Sequence, residues 1–181
     1  MCNFFSAIGL RDGSIRWHPM LDSHSDLLVY FGLEDESEYQ ARFVKLELMP
    51  NDNWLDPETW VFTIDETVAP VWCDEALQAA FHREMINIAR RFILIDGEKR
   101  LIVDGCWIIG QTAHVRDIRG GRVLRVQGSA SIRNVWGSAS IRNVGGSASI
   151  QNVGENTNLD QSALDHVIKE QHNENLCAQS D

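Results

Sequence analysis

The sequence predicts an α+β protein in which a small mixed domain leads into a short parallel β-solenoid of nine-residue units and then a C-terminal helix. Three observations carry that expectation. From Gly128 onward the chain repeats with a period of nine. Two earlier segments alternate apolar and polar residues as half-buried strands do, and one long segment carries an apolar stripe at helical spacing. At 181 residues, with 44% hydrophobic and 23% charged side chains, there is room for one ordinary domain and an extension. The predicted organisation is an α+β domain over 1–110, the repeats over 111–156, and a helix with a polar tail over 157–181.

Phe4 to Leu10 and Ser14 to Trp17 flank Arg11-Asp12-Gly13, a hairpin signal. Ser23, with Asp26 three residues on, has the pattern of an N-cap and capping box for a short helix through Phe31, closed by Gly32. Arg42 to Met49 and Trp60 to Asp65 alternate as strands. Asp74 opens a long helix in which Leu77, Phe81, Met85, Ile88 and Phe92 share one face, the pattern of a core stripe. Ile93 to Ile95, Arg100 to Val103 and Cys106 to Ile109, separated by Asp96-Gly97 and Asp104-Gly105, read as a meander leading into the repeats.

Gly128 to Trp136 is GSASIRNVW, Gly137 to Gly145 is GSASIRNVG and Gly146 to Gly154 is GSASIQNVG. Val123 with Val126 continues the apolar pair upstream, and Val115 with Ile118 does so one residue out of step. Gly, Ser, Asn and β-branched content disfavours helix and favours short strands after tight turns. Nine extended residues span roughly 30 Å, which suits half a flattened coil, so two units make one turn. Ile132, Ile141, Ile150, Val135, Val144 and Val153 are then predicted to face inward. A calcium-binding nonapeptide roll is excluded because it needs an Asp in every unit and this stretch has only Asp117. Asp160 begins the last helix, with Ala163, Leu164, Val167 and Ile168 on one side.

Charge divides the chain in the same way. Sixteen basic against 26 acidic residues give −10 overall, yet residues 111–154 hold 6 basic and 1 acidic side chain while residues 1–110 hold 9 and 19. The overall field opposes direct nucleic-acid binding. The four cysteines form no CxxC pair, which indicates a reducing cytoplasm, and no apolar run has the length of a membrane span.

Chemistry-bearing residues are few. Removal of Met1 would leave Cys2 with its own α-amine as an internal base, an arrangement used by N-terminal nucleophiles. The start MCNF resembles the MCG opening of class II glutamine amidotransferases, but the glycine is missing and 110 residues are too few for their four-layered sandwich. His24 at a helix start and Asp65 at a strand end are candidate helpers of Cys2; capping explains Ser23 and Asp26 equally well, and a helix-start histidine is commonly exposed. No histidine and cysteine spacing matches a metal site, and no phosphate loop or hydrolase fingerprint occurs, so neither metal nor cofactor is expected. Arg125, Arg133 and Arg142, followed by Gln151, recur along the repeats as candidate contacts for an anionic partner; two units per turn put Arg125 and Arg142 on one face and Arg133 and Gln151 on the other. Trp136 replaces the glycine of sister units and is a candidate anchor. The acidic run Glu34, Asp35, Glu36 and Glu38 is a candidate contact for a basic partner.

Taken together, MCNFFSAI, SHSDLLVYFGL, WVFTIDETVAPVW and the GSASIRNV units resemble a group of uncharacterised bacteriophage and mobile-element proteins. The resemblance implies a small accessory protein acting in an infected bacterium, against a host defence or in regulation, and it implies no site residue. The expected partner is a host protein or a second copy, met through the solenoid as docking or oligomerisation element. The rival expectation is a small amidohydrolase or transferase using Cys2.

Overall fold

The computed structural model describes residues 5–34 and 42–168. The first part is an antiparallel sheet with a helix on each face. Strands β1 (Phe5–Leu10), β2 (Ile15–Arg16), β3 (Phe43–Met49) and β4 (Val61–Ile64) run in the order β2-β1-β3-β4. Because side chains alternate across a strand, Ala7, Val44, Leu46 and Leu48 face one side, where Phe81 and Met85 of helix α2 (Glu75–Arg90) cover them. Ile8 and Phe43 face the other, under Leu27 and Leu28 of helix α1 (His24–Phe31). Asp74 caps α2 by accepting a bond from the Leu77 amide. Gly32 ends α1 in the left-handed conformation, as its sequence position requires. Ser23 occupies the N-cap of α1 but makes no side-chain capping bond, so the predicted capping box does not form.

Nine short strands follow: β5 (Ile93–Leu94), β6 (Glu98–Ile102), β7 (Cys106–Ile109), β8 (His114–Ile118), β9 (Arg122–Val126), β10 (Ser131–Val135), β11 (Ser140–Ile141), β12 (Ser149–Val153) and β13 (Asn158–Leu159). They alternate between two all-parallel sheets, β12-β10-β8-β6 and β13-β11-β9-β7-β5, which makes four turns of a flattened solenoid with two strands per turn. Coil length grows along the chain: His114 sits beside Glu98 sixteen residues earlier, Ser131 beside His114 after seventeen, and Ser149 beside Ser131 after eighteen. The seventeen-residue coil accounts for Val115 and Ile118 falling one residue out of step. The segment predicted as a meander is already solenoid, since β5 pairs with β7 and β6 with β8 in parallel. Its Asp-Gly pairs turn coil corners and do not close hairpins.

The interior is a stack of like side chains. Ile132, Ile141, Ile150, Val135 and Val144 are buried among Ala113, Ala130, Ala139 and Ala148, which occupy the tight corners. Val153 is 36% exposed, against expectation, because it lies on the last strand of its sheet and, among the described residues, no further residue pairs with its end of that strand. At one corner Gly128 has φ +71° and a Cβ there would stand 2.8 Å from the Gln111 backbone, so successive corners nest only because this residue is glycine.

The C-terminal end of the stack is covered by the chain itself. β13 adds to one sheet and Val167 bridges to Ile150 of the other. Between them the single-turn helix α3 (Gln161–Asp165), capped by Asp160, buries Ala163. Leu164 and Ile168, predicted to share its apolar face, are exposed because one turn presents too little surface to bury them.

Candidate functional site

The two outer faces of the solenoid have different fates. The sheet β13-β11-β9-β7-β5 is docked: Ile108 is buried, and Cys106 and Leu124 pack, within the core formed by α2 and the antiparallel sheet. Arg122 donates to Asp22 at 2.8 Å and spans the junction. Arg125 lies over the Trp54 ring, 5.3 Å from its centroid, and bonds Gln127. Burial here pushes the Cys106 thiol up to about 11, with Arg122 pulling partly the other way. Cys73, also buried, is raised for the same reason.

The sheet β12-β10-β8-β6 is open. Register places three columns on its outer side. Glu98, His114, Ser131 and Ser149 form the first, with the His114 ring and Ser131 hydroxyl 2.6 Å apart. Arg100, Arg116, Arg133 and Gln151, all exposed, form the second. The third is a ladder in which Asn152 donates to Asn134 at 2.9 Å and Asn134 to Asp117 at 2.7 Å. With Lys99, these first two columns, Ser149 excepted, line a shallow groove of about 680 Å³. Adjacent strands sit about 4.8 Å apart, so three arginine positions follow one another within roughly 10 Å. Arg116 has Asp117 at 3.6 Å, a half-buried carboxylate that also accepts from Asn134 and offsets part of this charge.

The predicted division of arginines by face holds: Arg133 and Gln151 are on the open sheet, Arg125 and Arg142 on the other. The latter two do not share a column, however. Ile141 pairs with Val123 and Val144 with Val126, which sets Arg142 beside Leu124 and Asn143 beside Arg125. Arg100 and Arg116 escaped the repeat pattern because their coils are sixteen and seventeen residues long. Trp136, 41% exposed, lies over Gly154, where a Cβ would come within 2.2 Å of its ring. Part of its surface is thus spent inside the protein, and it explains the glycine of the next coil.

A second cluster sits on the α1 face of the antiparallel sheet. His24 is 5% exposed, unlike a typical helix-start histidine. Its Nε2 meets the Leu46 carbonyl at 3.1 Å and its Nδ1 lies 3.3 Å from Asp65. Glu47 reaches the same spot, so that one ligand atom from each of the three residues lies within 4.8 Å of the others. Sequence spacing could not show this, because the three residues are on separate elements. Glu66 turns away from Asp65 and accepts from the Lys45 amide at 3.2 Å. Cys2, Asp35, Glu36 and Glu38 lie outside the described residues; Glu34 is exposed just after α1. Among the described residues no helix is long and apolar enough to cross a membrane.

Fold and faces together define an α+β protein that carries a four-turn parallel β-solenoid with one sheet docked and one presented. No family model, curated protein or solved structure matches this chain significantly.

Proposed function

We propose that this protein acts by binding another protein through the open sheet of its solenoid, as an accessory protein of the bacteriophage type that its sequence resembles, in the cytoplasm of a bacterial host. One observation carries the reading: the column Arg100, Arg116 and Arg133 on the solenoid sheet that, among the described residues, is left uncovered. Like charges directly opposite on neighbouring strands destabilise a sheet, whereas the Asn and Ser columns beside them cost nothing. A column of three therefore fits an anionic partner better than a purely structural role. An extended acidic segment of a protein matches it, since carboxylates on such a segment can follow the column. A nucleic acid fits less well, because four basic groups fall short of the 6–10 phosphate contacts of a strong footprint and the chain as a whole carries −10.

Anisotropy of a fluorescent Glu-rich peptide tests this. The protein binds it, and the combination Arg100→Glu, Arg116→Glu and Arg133→Glu abolishes binding, while Arg142→Glu on the other sheet leaves it intact. Unchanged binding by the triple variant, or tighter binding of single-stranded DNA than of peptide, defeats the reading. Self-association belongs to the same proposal: β5 and β6 are end strands of their sheets, and Ile95, Leu101 and Val103 of the first coil are exposed. Light scattering at tens of micromolar then gives a multiple of the 20.5 kDa chain mass, and Leu101→Lys reduces it.

The rival reading makes Cys2 a nucleophile with His24 as base and Asp65 orienting it; the His24–Asp65 contact fits it, but Nε2, the nitrogen left to act as base, already meets the Leu46 carbonyl. Under it, His24→Asn slows alkylation of Cys2 by iodoacetamide at neutral pH. Equal rates in the two proteins eliminate it.

A further inference from the structure

We propose that His24, Glu47 and Asp65 form a binding site for a divalent transition-metal ion of the zinc type, independent of the solenoid face. The three side chains come from the first turn of α1, from β3 and from the residue after β4, so a hydrogen-bonded sheet and a packed helix hold them. Register fixes the two carboxylates. Glu47 is paired with Thr63, and the Asp65 amide bonds the Lys45 carbonyl, which puts Glu47 and Asp65 on the same side of adjacent strands, facing α1.

His24 supplies the second argument. A carbonyl oxygen only accepts, so Nε2, 3.1 Å from Leu46 O, carries a proton, and the lone pair of the neutral ring is on Nδ1, directed at the carboxylates. Anchoring of the remote ring nitrogen by a backbone carbonyl is the arrangement by which proteins orient a metal-binding histidine. The ligand spacing also fits. Bonds near 2.0–2.1 Å in a tetrahedral site put neighbouring ligand atoms about 3.3 Å apart, the distance already present between Nδ1 and Asp65 Oδ2, 3.3 Å. The three atoms together need close only from within 4.8 Å.

The donor set selects the ion. One imidazole nitrogen with two carboxylates suits Zn²⁺ and its first-row neighbours, whereas Mg²⁺ and Ca²⁺ favour all-oxygen sites and a soft monovalent ion favours sulfur. Asp65 has a side chain 60% exposed, so the site opens to water on that side, which gives an entry path and a place for the fourth ligand. A dipositive ion against two carboxylates leaves no net charge beside the buried ring.

Titration of chelator-treated full-length protein with ZnCl₂, followed by calorimetry, tests the site. The wild-type chain binds Zn²⁺ with one equivalent that disappears in His24→Asn and weakens at least tenfold in Glu47→Gln and Asp65→Asn. The last two substitutions are near-isosteric, at a half-buried and an exposed position, so they keep the fold. A second measurement follows the His24 ring nitrogens by NMR: Nδ1 shifts on adding Zn²⁺ and Nε2 keeps its proton. Absence of binding at tens of micromolar Zn²⁺ overturns the proposal, as does the same stoichiometry and affinity in all four proteins, which would place the ion on other histidines or cysteines. Loss of peptide binding by the arginine variants leaves these readouts unaffected, so the two proposals fail separately.

Discussion

The docked and open sheets of the solenoid are built on one interior and differ only in what their outward residues meet. On the docked sheet the outward positions include Ile108, Cys106 and Leu124, which merge with the core of the antiparallel domain, beside Arg122 and Arg125, which bond Asp22 and cover Trp54. On the open sheet the corresponding positions are Arg100, Arg116 and Arg133, which meet solvent. A solenoid coil buries its inner column whatever lies outside, so the outer residues are released from the task of folding. They report instead on what each face touches.

The largest predicted effect tests the shared interior. Ile132 and Ile141, on opposite sheets, are both 0% exposed; Ile132→Ala and Ile141→Ala should each cost about 2–5 kcal/mol in denaturant unfolding. A cost confined to one of them would mean that the two sheets do not share one core.

Next in size is a pH effect special to the docked face. Cys106 holds its proton up to about 11 in the folded chain, against 9.0 when exposed. The unfolded chain therefore loses that proton first. The stability is fully present below pH 9 and is lost as pH rises through 11, by about 2–3 kcal/mol at most. Unfolding midpoints at pH 8 and pH 11 should fall further in the wild type than in Cys106→Ser. Parallel falls would show that water reaches the thiol and that the docked face is loose.

Removal of the Arg122 side chain breaks the junction itself. Its bond to Asp22 is charge-assisted but partly solvated, so Arg122→Ala should cost about 1–2 kcal/mol. An effect under a few tenths would mean that apolar contact alone sets the docking. The smallest effect falls on the open face: Arg116→Thr should leave stability unchanged or raise it by a few tenths of a kcal/mol, because it relieves repulsion between neighbouring arginines. A loss above about 1 kcal/mol would make the column structural, and the argument for an anionic partner would go with it.

Local sequence determined the elements whose causes are local. Identical residues at a fixed period stack in register on parallel strands, so GSASIRNV by itself specified two units per coil, the buried Ile column, the Val column as far as Val144, and the shared face of Arg133 and Gln151. Asp74 and the stripe from Leu77 to Ile88 likewise specified α2. Tertiary structure decided the rest. An Asp-Gly pair turns a hairpin or a coil corner equally well, and the choice at Gly97 and Gly105 rests on which strand lies alongside, so the start of the solenoid at Ile93 could not be read from the turns. Arg100 and Arg116 join the column of Arg133 only through coils of unequal length. His24, Glu47 and Asp65 meet only because α1 folds over β3 and β4, and a contact between residues so far apart in the chain has no signature in the spacing of any one segment.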